Sequence, residues 1–181
     1  ADLPQTGPET GPLAGSGLTY FDSDAHRDYV HGSAEVVGLM CLRVFTRYEV
    51  LTPARRNTLE HGARSLGAAF QNVNFLRDLA DDTSRLRRSY LSVDGELDDA
   101  DRDRWVATIR EQLADASAVL PLLPGDAALA VRCALNLFAA LTERIAAAPL
   151  PELRSRRIRL STAAKTRILL QSLAASRKQA G

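Results

Sequence analysis

The residues best suited to chemistry lie between positions 71 and 82, where amide and carboxylate side chains recur at helical spacing. Asn74, Asp78 and Asp82 are four residues apart, so a helix places them on one face, one turn above another. Gln71 falls on the same face. Two carboxylates on one face repel each other, and a divalent cation is the natural compensating charge. Mg²⁺ prefers oxygen ligands and typically binds one or two carboxylates together with substrate phosphates and water.

Arginines accompany this stretch and are suited to binding phosphate oxygens directly. Arg77 lies beside Asp78, and Arg85, Arg87 and Arg88 follow soon after. The departure of a diphosphate from an allylic carbon needs such charge neutralisation, because the leaving group carries the developing negative charge. The alternative is a solvated acidic helix face held by salt bridges, and spacing alone favours that alternative.

The apolar pattern along the chain predicts an all-α protein without strands. Residues 1–19 are rich in proline and glycine and are predicted to be a flexible lead-in, with residues 20–181 forming the helical domain. Five helices are predicted, with approximate bounds 23–48, 52–85, 98–120, 126–148 and 161–178. The second of these helices carries Asn74, Asp78 and Asp82 near its carboxyl end.

Composition places the chain among ordinary globular proteins. It is 45% hydrophobic and 25% charged, and its net charge of +1 gives no indication of a nucleic-acid partner. Cys41 and Cys133 lie in apolar helical patterns, which predicts buried free thiols in a reducing compartment. Neither a signal peptide nor a long apolar run is evident. We therefore expect a cytoplasmic protein, and peripheral contact with a membrane is compatible with the sequence.

Three segments resemble the squalene and phytoene synthases. Residues 71–82, followed by Arg88-Ser-Tyr90, resemble the family's second aspartate-rich motif, Q-x-x-N-x-x-R-D-x-x-x-D with R-x-Y soon after. Residues 29–38 are similar to its Y-x-x-x-V-A-G-x-V-G helix, with Ser33 and Glu35 in place of Val and Gly. Residues 157–165 resemble its final Arg-then-Lys segment. The three matches follow the family's order, and their style is closest to bacterial phytoene synthases.

The resemblance implies an isoprenoid-synthase-type helical bundle around a central cavity. It also implies a transferase that joins two prenyl diphosphates head to head through a cyclopropylcarbinyl diphosphate, using Mg²⁺ or, in its place, Mn²⁺. The roles implied are metal binding by Asn74, Asp78 and Asp82; catalysis by Tyr29, Arg77 and Arg88; diphosphate or pocket contacts by Gln71, Arg77, Arg88 and Tyr90; a channel wall at Gly32, Ala34 and Val37; and weaker diphosphate contacts by Arg157 and Lys165.

Two departures from the family pattern matter. Arg87 stands where the family usually has Gly before its R-x-Y. The family's first aspartate-rich motif is not found upstream of Asp78. Asp24 and Asp28 have the right spacing, but they come just before Tyr29, where that motif does not belong. We therefore expect an incomplete bundle that needs an N-terminal half, a partner subunit or self-association to cover its apolar helices.

The substrate and the activity remain open at the level of sequence. Geranylgeranyl diphosphate, converted to phytoene in carotenoid biosynthesis, is the favoured substrate. Farnesyl diphosphate, converted to squalene or dehydrosqualene, is the alternative within the same chemistry. A non-catalytic assembly or binding protein that keeps the fold is the alternative from another class. The acidic residues retained at Asp78 and Asp82 favour the enzyme.

Overall fold

The computed structural model describes residues 19–20, 23–79, 88–89 and 97–179, with side chains for 24–79 and 97–175. The described elements are β1 (Thr19–Tyr20), α1 (Ser23–Val30), a π-helical turn (His31–Glu35), α2 (Val36–Phe45), α3 (Pro53–Arg77), β2 (Arg88–Ser89), α4 (Asp99–Ala118), a 3₁₀ turn (Leu120–Leu122), α5 (Gly125–Ala146), α6 (Leu150–Ser155) and α7 (Thr162–Gln179). The all-α prediction is confirmed.

The two strands form only a short parallel pairing. Thr19 lies opposite Arg88, and Tyr20 lies opposite Ser89. The prediction of no strand misses this pairing, because two residues carry no alternation of apolar and polar side chains that a pattern could reveal. β1 begins at Thr19, the last residue of the predicted lead-in. The pairing ties the start of the helical domain to the chain just before Tyr90.

Helix starts follow the capping residues in the sequence. The Thr52 hydroxyl accepts a hydrogen bond from the Arg55 amide at 3.3 Å, directly before Pro53 at the first helical position of α3. α4 begins with a reciprocal capping box between Asp98 and Asp101. The Ser161 hydroxyl accepts from the Ala164 amide at 3.2 Å and begins α7. These local hydrogen bonds explain why the predicted helix starts agree with the structure.

The helices differ from the prediction in three places. The first predicted helix is divided by the π-helical turn at 31–35, and α3 ends at Arg77, with Asp78 as its C-cap. Residues 80–85 of the second predicted helix lie outside the described residues. α6 was not predicted, because Pro149 and Pro151 suggested a break. Proline is tolerated in the first turn of a helix, where its missing N–H has no intrahelical acceptor.

The core is built around α3, which packs against α1, the π-helical turn, α2, α4 and α5. Ala69, Val73 and Leu76 of α3 are fully buried, and they belong to one cluster with Ile109 of α4 and Ile145 of α5. α7 packs against α5 rather than against α3. Because α3 is central, the neighbouring helices fix the positions of its buried apolar side chains and of its polar carboxyl end.

Among the described residues, α5 is the one helix long and apolar enough to cross a membrane. The sequence-based expectation that no apolar run approaches this length is therefore too strict. A core helix of a soluble protein meets the same criterion, but α5 packs against α3, α4 and α7 with only 22% of its apolar stretch buried. This feature agrees with either a soluble or a peripherally bound protein.

Candidate functional site

An apolar cavity of about 420 Å³ lies between the π-helical turn, α2, α3, the end of α4 and the first turns of α5. Its wall is formed mainly by Ala, Val, Leu, Phe and Gly side chains. Ala34 and Val37, predicted as channel wall, line it, and so does Gln71. Gly32 and Tyr29 are not among the lining residues. The cavity suits an apolar ligand with a polar group near Gln71.

Glycines set the narrow crossings that shape this cavity. A Cβ atom at Gly67 would lie 2.8 Å from the carbonyl carbon of Ala34, and one at Gly38 would lie 3.0 Å from that of Ala63. Both positions meet backbone atoms, so no side-chain rotation could relieve the overlap. Gly32 has nothing within 4 Å of such an atom. Gly38 of α2 and Gly67 of α3 therefore allow close helix packing, whereas Gly32 is not needed for it.

The cavity is partly open to solvent, and several apolar side chains of α2, which forms part of its wall, are exposed. Val37 is 50% exposed, Met40 is 62% exposed and Val44 is 56% exposed. Cys41 lines the cavity and is exposed, whereas Cys133 is partly buried. The prediction that both thiols are buried is wrong for Cys41, because α2 packs against α3 on one face only and leaves this thiol uncovered.

The carboxylate of Asp78, at the carboxyl end of α3, is held by two arginines. Arg77 donates from Nε to Oδ1 at 2.9 Å and from Nη2 to Oδ2 at 2.7 Å. Arg157, from the segment between α6 and α7, places its Nε 2.7 Å from Oδ1. The three side chains are 22%, 20% and 38% exposed for Asp78, Arg77 and Arg157, respectively. Positive charge at Asp78 is thus supplied by the protein itself, which the spacing argument did not foresee.

The other predicted metal ligands are placed only in part. Asn74 lies on the last turn of α3, and its backbone carbonyl oxygen accepts a hydrogen bond from the Asp78 backbone amide at 2.9 Å. Asp82 and Tyr90 lie outside the described residues, and Arg88 is described only through its backbone in β2. No group of three His, Cys, Asp or Glu side chains that could hold a metal occurs in the part of the chain that the structure describes.

The donor chemistry near Asp78 nevertheless suits Mg²⁺. Asn74 and Asp78 supply hard oxygen atoms one helical turn apart, which is the ligand type this ion prefers. The Asp78 carboxylate already accepts two hydrogen bonds from Arg77 and forms an ion pair with Arg157. A cation that bound there would meet two positive charges at close range. The residues therefore fit a metal provided that one arginine leaves the carboxylate.

Two arginines in the part of the chain after α5 contact Asp78 at the end of α3 and Leu97 just before α4. Arg157 binds Asp78, and Arg154 donates from Nη2 to the carbonyl oxygen of Leu97 at 2.7 Å. The family resemblance implied only a weaker diphosphate contact for Arg157. Its contact with Asp78 assigns it to the candidate site. Lys165, the other weak candidate, is exposed on α7.

Sequence reasoning missed a buried polar network beside the site. The Asn72 side chain accepts from His26 Nε2 at 3.1 Å and donates from Nδ2 to Gln112 Oε1 at 3.1 Å. It thereby joins α1, α3 and α4. Asn72 is 3% exposed and His26 is 8% exposed. The only signal in the sequence was a polar residue beside the apolar stripe of α3, which does not identify a partner.

Aromatic rings complete this region. The His26 ring lies 4.7 Å from Trp105 and 5.2 Å from Phe75, measured between centroids. Tyr29, predicted to face the reacting carbons, is partly exposed, with its ring 5.8 Å from that of Phe75. Asp24, the possible replacement ligand, pairs with Arg27 at 3.2 Å on the surface. The Tyr29 ring thus lies beside Phe75 in the last turn of α3 and does not line the cavity.

Comparison with known proteins agrees with these observations. The model of the family described as squalene/phytoene synthase matches residues 16–164, which is most of the 181-residue chain. No curated protein matches the chain. The family match suggests a prenyltransferase that condenses prenyl diphosphates head to head, typically with a divalent metal. With its all-α fold, apolar cavity and matching motifs, the chain belongs to the squalene/phytoene synthase family.

Proposed function

We propose that this protein catalyses the Mg²⁺-dependent head-to-head condensation of geranylgeranyl diphosphate to phytoene. The observation that carries the proposal is the course of α3. The helix lines an apolar cavity as far as Gln71 and ends at the Arg77–Asp78–Arg157 cluster. Gln71 and Asp78 are about 10 Å apart along a helix axis. A prenyl diphosphate needs an apolar site for its tail and a charged site for its diphosphate. Along α3, the apolar cavity wall comes first and the charged cluster follows.

Each part of the arrangement has a chemical task. Asn74, Asp78 and Asp82 hold Mg²⁺, and Arg77, Arg88 and Arg157 bind diphosphate oxygens. Bound Mg²⁺ would neutralise the charge that develops on the departing diphosphate. The apolar wall excludes water, which protects the allylic cation from hydrolysis. In this proposal Tyr29 would face the reacting carbons and Tyr90 would contact the substrate.

We also propose that further helices cover the open side of the cavity and carry the first aspartate-rich motif. They belong to an N-terminal half or to a partner subunit, and self-association is the alternative. The exposed apolar side chains of α2 support this, because Val37, Met40 and Val44 adjoin one another and would be stabilised by burial. Catalysis then requires the assembled bundle.

Two alternatives are supported by separate observations. The same cavity would serve farnesyl diphosphate in a squalene-type reaction, because cavity depth is set by the covering helices as well as by the described wall. A non-catalytic binding role is supported by the double pairing of Asp78, since a carboxylate held by Arg77 and Arg157 has a structural use without metal. The products formed and the metal dependence distinguish these alternatives.

The direct test is co-expression with the N-terminal helices of a family member, followed by extraction of products. Assays with Mg²⁺ and either geranylgeranyl or farnesyl diphosphate should yield phytoene from the former. Asp78→Asn should lower product formation by at least about tenfold, the size of one lost charge-assisted contact. Asp103→Asn, which removes an exposed carboxylate from α4, is the matched control. Equal loss in both variants, or product formation without Mg²⁺, would refute the proposal.

A further inference from the structure

Asp78 is a candidate metal ligand whose charge is already neutralised. Arg77 donates two hydrogen bonds to this carboxylate, and the Arg157 Nε lies 2.7 Å from its Oδ1. A divalent cation placed beside this carboxylate would be repelled by both guanidinium groups. Binding of a metal therefore has to displace one arginine.

The geometry identifies Arg157 as the arginine that leaves. Arg77 is adjacent to Asp78 in the chain and binds both of its oxygens. Arg157 makes one contact to Oδ1, and its side chain is nearly twice as exposed as that of Arg77. The following residue, Ile158, is 3% exposed. The backbone beside Arg157 is thus anchored in the core, while its side chain can turn without moving the chain.

The pairing of Arg157 with Asp78 is selective among the neighbouring arginines. Arg156 pairs with Glu152 at 2.8 Å, and Arg144 pairs with the same carboxylate at 3.1 Å. Arg157 instead turns to Asp78, which is distant in sequence and lies at the end of another helix. If its pairing were non-specific, Arg157 would have the carboxylate of Glu152, in its own segment, as a nearby partner.

We propose that Arg157 is an exchangeable counterion of Asp78. Without metal its guanidinium neutralises the carboxylate, and when metal and diphosphate bind it moves from Asp78 to the diphosphate oxygens. This inference rests on the proposed role of Asp78 as a metal ligand. Arg157 consequently competes with the metal when the metal binds alone. When the diphosphate is present as well, Arg157 assists binding because it contacts the diphosphate oxygens.

This exchange predicts effects of opposite sign from one substitution. Arg157→Gln removes the competitor, so Mn²⁺ alone should bind about three- to tenfold more tightly, in keeping with the loss of one partly exposed charge contact. In saturating Mn²⁺ the same variant should bind inorganic pyrophosphate about three- to tenfold more weakly. Arg157→Lys keeps the charge but loses Nε, and should show smaller changes in the same two directions.

The test uses the full chain, with free Mn²⁺ measured by electron paramagnetic resonance and pyrophosphate binding by calorimetry. Arg159→Gln removes an equal charge from an exposed position two residues away and is the matched control. Circular dichroism in metal-free buffer establishes that each variant is folded. Opposite changes in Arg157→Gln that exceed those in Arg159→Gln support the exchange. Changes in the same direction, or changes no larger than those of the control, overturn it.

Asp78→Asn separates this inference from the proposed function. If Asp78→Asn leaves Mn²⁺ affinity unchanged, the metal assignment fails and the exchange fails with it. If Asp78→Asn weakens Mn²⁺ binding while Arg157→Gln does not tighten it, the exchange alone is refuted. The double variant should bind Mn²⁺ no more tightly than Asp78→Asn, because the competition acts only through this carboxylate.

Discussion

Substitution of Gly67 by alanine tests how closely α3 approaches the preceding helical segment. The added Cβ would lie 2.8 Å from the carbonyl carbon of Ala34 and 3.1 Å from the Cα of Glu35. Favourable carbon contacts begin near 3.5 Å, so the two elements must separate by roughly 0.7 Å. Because both neighbours are backbone atoms, no side-chain rotation can relieve the overlap.

Two opposing terms set the size of the effect. Alanine is favoured over glycine within a helix by about 1 kcal/mol. Overpacking against backbone costs about 3 kcal/mol, at the upper end of the usual range. The free energy of unfolding should therefore fall by about 2 kcal/mol. The cavity should change as well, because Gly67 and Ala34 both line it.

Urea denaturation followed by circular dichroism measures this difference. Gly32→Ala is the matched control, since its Cβ meets nothing within 4 Å. This control should raise the free energy of unfolding by about 0.5–1 kcal/mol through the entropy of the unfolded chain. If Gly67→Ala proves as stable as Gly32→Ala, the close crossing of the two elements is refuted.

Two further substitutions test buried and exposed polar contacts. Asn72→Leu deprives His26 and Gln112 of a shared buried partner and should lower the free energy of unfolding by about 2–3 kcal/mol. Urea titrations measure this loss, and a value below about 0.5 kcal/mol would contradict a stabilising role of the network. Glu143 accepts a bidentate hydrogen bond from Arg110, which holds the pKa of this carboxyl below its usual value. The resulting stabilisation, about 0.2–1 kcal/mol for so exposed a pair, should be present near neutral pH and lost as pH falls through the lowered pKa of the folded state. Thermal midpoints of wild type and Glu143→Gln should thus converge in acid, and a difference that grows in acid would be evidence against it.

Local features explain why most of the helical framework could be predicted. Thr52, Asp98 and Ser161 bind amides within three residues of themselves, so the helix starts they set are properties of short segments. α6 escaped prediction because Pro149 and Pro151 are equally compatible with a break and with a helix start. The π-helical turn at 31–35 has no comparable local signal.

The candidate site could be predicted in its residue types but not in its electrostatics. The spacing of Asn74 and Asp78 indicated a cation, and the structure supplies Arg77 and Arg157 at that carboxylate. Arg77 was visible as a neighbour in sequence. Arg157 was not, because the described chain between it and Asp78 includes α4, α5 and α6, and the packing of these helices decides where Arg157 lies.

The sequence by itself determined the all-α class, most helix starts and the family, since these depend on capping, periodicity and motif spacing within short segments. Tertiary structure decided which side chains share an environment. It brought Arg157 to Asp78, joined His26 to Asn72, and formed the cavity where Gly38 and Gly67 allow close helix crossings. Such contacts depend on the relative placement of whole helices, which short-range patterns do not encode.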